Sequence, residues 1–261
     1  MKTASLPRLG SILLLLILPA LMVQTACSPN LPPTSPAIAP ATSPATVPAT
    51  STAPAPKTRR YTANIERFAE LDRKSPPPAH PTVFLGSSTF TRWSAVPQVF
   101  QDYKAINRGF GGSSLADILY FFDRLVTPYE PRAIVLYIGT NDITGGTTPE
   151  KFLANFKTFH HKVQAVSPDT HIYFISLIPA PIRESKAPAM DQANQLVRDY
   201  IVNKPQLHYI DARFALSTPE GKPDPAFYVA DRLHPNEKGY AILAPLIKAA
   251  LGSATTQAVR P

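Results

Sequence analysis

A chain of 261 residues holds one large domain or two small ones, and its 44% apolar fraction is enough for a buried core. The formal net charge of +8 invites a polyanionic partner, but Lys2, Arg8, Lys57, Arg59 and Arg60 supply five of the 26 basic residues within a stretch that has no acid. The remainder carries an excess of only three positive charges and shows no basic run, zinc spacing or aromatic RNA-binding signature, so no nucleic-acid partner is expected.

Residues 1–26 read as an export signal. Lys2 and Arg8 form a basic start, and the apolar run Ile12–Leu18 follows. That run is too short for a membrane span, which needs about 20 apolar residues. Small residues Thr25 and Ala26 then precede Cys27, the sole cysteine, which excludes an intramolecular disulfide. This arrangement resembles the lipobox of bacterial lipoproteins, with Gln24 standing where a leucine is usual. The resemblance implies that Cys27 is lipidated and becomes the mature N-terminus. Ser28 after it implies the outer membrane, facing the periplasm or the cell surface. An ordinary secretory signal with an incidental cysteine is the alternative.

Residues 27–60 are expected to be a tether. Nine of the 30 prolines fall between Ser28 and Pro56, among Ala, Thr and Ser and with no charge. Such a segment buries too little apolar surface to offset its ordering entropy. Stiffened towards polyproline II, it would reach roughly 90 Å at about 3.1 Å per residue. The folded domain is placed at residues 61–251, and a disordered tail is expected over 252–261.

Within the domain, short β-branched or aromatic runs predict strands at Thr82–Gly86, Tyr103–Arg108, Ala133–Ile138, His171–Leu177 and Leu207–Asp211. Segments of helical period predict helices at Asn64–Arg73, Leu115–Val126, Pro149–Val166, Met190–Val202 and Glu237–Leu251. Ser114, Thr147 or Thr148, and Asn236 stand where N-caps belong. Continuous apolar strands alternating with helices predict an α/β fold, a three-layer α/β/α sandwich around a flavodoxin-like five-stranded parallel sheet. In such sheets ligands bind beyond the carboxyl ends of the strands.

Polar or glycine-rich clusters fall at those ends: Gly86-Ser87-Ser88, Asn107 to Ser113, Gly139-Thr140-Asn141-Asp142, and Asp231-Arg232-Leu233-His234. Together they supply what nucleophilic catalysis through serine requires. Ser88 at a strand-to-helix turn is the candidate nucleophile and His234 the candidate base. Asp231, three residues earlier in one turn, can orient the imidazole through Nδ1. The backbone N–H groups of Ser88 and Gly112 and the side-chain amide of Asn141 are candidate donors to an oxyanion.

The four clusters, in order, resemble the signature blocks of the SGNH (GDSL-like) hydrolases over about residues 80–250. The resemblance implies a serine esterase with no cofactor and no metal, in which Ser88, Asp231 and His234 are catalytic and Ser88, Gly112 and Asn141 form the oxyanion hole. It implies as substrate a small-molecule, glycan or lipid ester, and the lipobox adds a membrane contact through an N-terminal lipid. The family's Asp before the nucleophile is Ser87 here, which leaves Ser87 as a rival nucleophile. An α/β-hydrolase elbow would need glycine where Phe90 stands. Envelope acyl transfer, or glycan binding without catalysis, remains open on the same fold. Arg92 and Trp93 either line the pocket or support the first helix after the nucleophile. His160 and His161 are expected to pack or face solvent, and His80, His171 and His208 show no ligand spacing.

Overall fold

A computed structural model describes residues 60–257, with side chains described as far as Ser253. The expected export signal, Cys27 and all but the last residue of the tether lie outside the described residues, as do residues 258–261.

Helix α1 (Thr62–Lys74) precedes β1 (Thr82–Gly86), the short helices α2 (Ser88–Arg92) and α3 (Val96–Val99), and β2 (Ala105–Gly109). Then come α4 (Leu115–Tyr120), α5 (Phe122–Leu125), β3 (Ala133–Tyr137), α6 (Thr140–Thr144), α7 (Pro149–Val166) and β4 (His171–Ile175). A 3₁₀ segment (Pro181–Lys186), α8 (Ala187–Ile201), β5 (Leu207–Ile210) and α9 (Glu237–Gln257) complete the fold. All neighbouring strands pair parallel, in the order β2-β1-β3-β4-β5. This is the five-stranded α/β/α sandwich expected from the pattern, and its strand order reverses between β1 and β3.

The two-residue period of the strands explains the layers. Val83, Leu85, Ile134 and Leu136 face a core closed by α1, α4, α5, α7 and α8, to which α7 contributes Phe152, Phe156, Phe159 and Val163. Phe84, Val135, Tyr173 and Ile175 face the opposite core, closed by α2, α3 and α9.

Several boundaries shift by one to three residues, as where α8 begins at Ala187 rather than Met190, and three of the differences have an evident physical reason. The second strand begins at Ala105, because Gln101–Tyr103 forms a 3₁₀ turn and Lys104 takes a left-handed conformation (φ 52°) to enter the sheet. The single helix expected over Leu115–Val126 breaks at Phe121. The break lets consecutive rings enter the core separately, Phe121 against Phe110 and Phe122 against Phe159. The last helix runs on to Gln257, so the tail expected to be disordered from residue 252 is helical through 257. Its backbone meets no proline there until Pro261.

Two contacts fix the edge of the sheet where the strands end. Gly109 lies so close beneath α2 that a Cβ there would stand 2.7 Å from both Phe90 Cβ and the Thr91 nitrogen. Asp142 on α6 accepts the Leu115 N–H with both carboxylate oxygens, at 3.1 and 3.2 Å, and so ties α6 to the start of α4. Burial pushes its carboxyl up to about 6, against the opposing pull of the Leu115 N–H.

Gly109→Ala is expected to cost about 1–3 kcal/mol through displacement of α2, read as a lowered urea midpoint with unchanged m-value. Asp142 makes stability depend on pH with a defined sign. Its folded pKa lies above the unfolded value near about 3.9, so the folded state binds more protons in between, and stability falls as pH rises through that window. Asp142→Asn should therefore gain on the order of 2 kcal/mol over the wild type at pH 7, and that advantage should shrink by pH 4.5 in urea titrations at both values.

Candidate active site

The expected residues meet at the carboxyl edge of the sheet, by the reversal of strand order. β1 ends at Gly86, and the chain turns at once into α2, which puts half-buried Ser88 at the first position of the helix. A Cβ on Gly86 would stand 2.3 Å from the Tyr137 carbonyl oxygen, so the turn needs a residue without one. Asn107 secures the other end of α2. Its amide donates to the carbonyls of Phe90 (2.7 Å) and Trp93 (3.1 Å), while its oxygen accepts from Gly109 N–H at 2.9 Å.

The loop before α9 carries the other two groups. Asp231 Oδ1 accepts from the backbone N–H of Leu233 (2.9 Å) and of His234 (3.0 Å), so the aspartate builds the turn that carries the histidine. Arg232, between them, takes φ 55°. Asp231 Oδ2 stands 2.7 Å from His234 Nδ1, and His234 Nε2 stands 2.8 Å from Ser88 Oγ. A carboxylate on Nδ1 selects the tautomer that donates from Nδ1, which leaves Nε2 to accept the serine proton. Burial pushes the Asp231 carboxyl up, but the His234 imidazole and the backbone N–H groups of His234 and Leu233 outweigh it and hold the carboxyl well below the usual range. The group therefore stays anionic at any ordinary pH.

The second and third strand ends bring Gly112 and Asn141. The Gly112 N–H (3.0 Å) and the Asn141 amide (2.8 Å) both donate to the hydroxyl of Ser87, not to that of Ser88. The donors anticipated for an oxyanion thus converge on the neighbour of the candidate nucleophile, and Ser87 itself is buried. Of the two serines, only Ser88 touches His234. The second amide hydrogen of Asn141 goes to the Ser113 carbonyl at 2.9 Å, and its oxygen accepts from Arg183 at 3.0 Å. Every polar atom of that amide is engaged, which fixes its orientation.

Of the two readings of the residues after Ser88, support of the helix is the one the contacts carry. Arg92 makes an ion pair with Asp231 at 3.4 Å, and Trp93 is buried and stacks on Tyr240 with ring centroids 4.7 Å apart. Both also border a cleft of about 640 Å³ beside Pro235, lined further by Val229 and Tyr240. The histidines without a role in the turn lie elsewhere. His160 Nδ1 meets the Tyr200 hydroxyl at 2.8 Å, and His171 meets His208 at 2.8 Å across β4 and β5. Among the described residues no three His, Cys, Asp or Glu side chains are grouped to hold a metal ion.

Two functional contributors escaped the sequence reading. Asn107 lay inside the glycine cluster, yet its role as a clamp on α2 depends on a fold in which α2 crosses β2. Arg183 lies past β4, the one strand end from which no candidate was drawn. The rule that ligands gather at the ends of all the strands was the signal available.

Comparison with known proteins identifies the family. The sequence profile of the GDSL-like Lipase/Acylhydrolase family matches residues 80–242. Platelet-activating factor acetylhydrolase IB subunit alpha1 from Rattus norvegicus and from Homo sapiens are each 26% identical over 121 residues, 44% of this chain. The chain spans about half the length of these curated relatives. In fold, a GDSL-like lipase from Bacteroides thetaiotaomicron superposes with a TM-score of 0.61 at 24% identity, covering 74% of this chain and 98% of that one. A catalytic mutant of an acetylxylan esterase from Geobacillus stearothermophilus does so with a TM-score of 0.55 at 15% identity, covering 67% and 96%. With its four strand-end clusters assembled at one edge of the sheet, and with the profile spanning well over half of its length, the chain belongs to the GDSL-like lipase/acylhydrolase family.

Proposed function

We propose that the domain is a serine esterase that hydrolyses carboxylic esters through an acyl-enzyme. The observation that carries this reading is the continuous relay from Asp231 through His234 to Ser88, with contacts of 2.7 and 2.8 Å. Ser88 Oγ attacks the ester carbonyl as His234 Nε2 takes its proton, and Asp231 stabilises the imidazolium that forms. The Gly112 and Asn141 donors, with the Ser88 N–H, stabilise the oxyanion. For this the Ser87 hydroxyl gives way to the substrate oxygen, one acceptor replacing another. Collapse expels the alcohol with the proton from His234. Water, activated by the same histidine, then releases the acid and restores Ser88.

Acetyl and other short acyl esters fit best as substrates, on a glycan, a lipid or a small molecule. The names of the relatives support this, since one is an acetylhydrolase and another an acetylxylan esterase. Residues 1–60 support export and a lipid anchor at Cys27, which would hold the esterase on a tether in the bacterial cell envelope.

Ser88→Ala should lower kcat for 4-nitrophenyl acetate by at least about 10⁴-fold with the urea midpoint preserved. Ser87→Ala should keep kcat within about 10²-fold, the scale of one altered oxyanion contact. The reverse ranking would make Ser87 the nucleophile. Expressed in a bacterial host with an alkynyl palmitate analogue, the full chain should take up label, and Cys27→Ser should abolish it. An unlabelled wild type would leave an exported protein without an anchor.

A further inference from the structure

Arg183 does more than its contact with Asn141 requires. A guanidinium carries five N–H donors and a charge that never leaves it at ordinary pH. Here one bond, from Nη2 to Asn141 Oδ1 at 3.0 Å, serves to orient the amide. A neutral donor would suffice for that. No carboxylate lies within ion-pair distance of Arg183 among the described residues, although the side chain is half-buried and burial presses its pKa down. A half-buried charge with no ion-pair partner is a ready site for a counter-charge.

Two further arginines sit on segments that adjoin the site. The 3₁₀ segment that carries Arg183 is fastened to the catalytic turn by the Ile182 N–H, which donates to the Arg232 carbonyl at 3.2 Å. Arg232 is exposed in that turn. Across the site Arg60 donates to the Gly112 carbonyl at 2.8 Å. Neither Arg60 nor Arg232 has an ion-pair partner among the described residues. The nearby carboxylates do not neutralise this rim. Asp231 is held by His234 and Arg92, and Asp117 caps α4 through Ser114. Asp142 is buried beneath α4, while Glu184 is exposed and makes no ion pair with Arg183.

We propose that Arg183, supported by Arg60 and Arg232, binds an anionic oxygen group of the substrate, a carboxylate or a phosphate, carried close to the ester that Ser88 attacks. The proposal rests on the esterase reading and names the substrate class within it. A guanidinium fork matches the paired oxygens of either group. The same Arg183 remains a positioning residue for Asn141, so its removal has two separable effects, one on the binding of anions and one on turnover of every ester.

The test compares three acetyl esters on one skeleton: glyceryl monoacetate, O-acetylglycerate and 1-acetylglycerol 3-phosphate. Acetate release is followed with the full-length protein at low and high salt. For the wild type the anionic ester that fits should show a KM at least about tenfold below that of glyceryl monoacetate, and the gap should close at about 1 M salt. Arg183→Gln should lower kcat for all three esters alike and erase most of the anion advantage in KM, whereas Arg183→Lys should restore much of that advantage. Whichever anionic ester gains separates carboxylate from phosphate. Equal KM values in the wild type, or an Arg183→Gln effect of the same size on all three KM values, would overturn the proposal and leave the esterase intact. Should neither these esters nor 4-nitrophenyl acetate be hydrolysed, the esterase reading fails. Calorimetric titration with glycerate and glycerol 3-phosphate then decides separately, since absence of binding, or equal binding by Arg183→Gln, overturns the anion site.

Discussion

The contact between Ser88 and His234 joins two residues 146 positions apart, one on the turn after the first strand and the other on the loop before the last helix. Neither segment has an intrinsic reason to lie near the other. What holds them is the packing of α9 against α2. The Tyr240 hydroxyl donates to the Thr89 carbonyl at 2.9 Å, and the Tyr240 ring stacks on Trp93. Asn236 fixes where α9 begins, since its oxygen accepts from Gly239 N–H at 3.1 Å and its amide donates to the Ala226 and Tyr228 carbonyls. A helix start clamped to the loop before it, and a helix body clamped to α2, leave the histidine little room. The precision of a hydrogen bond is thus borrowed from a hydrophobic layer.

The aspartate works on a shorter scale. With one oxygen Asp231 closes the turn, and with the other it meets the imidazole. Loop geometry and tautomer are set by one side chain, so the two cannot drift apart. Arg92 touches the oxygen on the imidazole side and links the same carboxylate to α2. The relay is therefore braced at both ends by the helix that carries Ser88.

How much of this was legible in the residues follows the distance over which each feature acts. The N-caps at Ser114 and Thr148 are local, and the polar residues ahead of each helical period announced them, the second as Thr147 or Thr148. Asp231 and His234 were legible for the same reason, three residues apart and ahead of a cap. The five strands were legible because buried parallel strands are continuous apolar runs. The break at Phe121 was hidden, since its helical period continues through the break and only the positions of Phe110 and Phe159 decide it. Arg183 was hidden more thoroughly. It acts on an amide 42 residues earlier, and an arginine in a loop carries no local mark of that. The partner of the Gly112 and Asn141 donors was hidden too. The clusters named the donors, but only the fold shows them turned to Ser87.

That last arrangement bears on how the site would take a substrate in the proposed reaction. Donors left pointing into a cavity must be solvated, and stripping their water is part of the cost of binding. Here an internal hydroxyl stands in for the solvent, held by two N–H groups at 3.0 and 2.8 Å. A neutral oxygen is a weaker acceptor than the developing oxyanion, so the exchange gains little with the ground-state carbonyl and most at the transition state. In the proposed reaction, then, the Ser87 hydroxyl is a placeholder that yields most readily to charge.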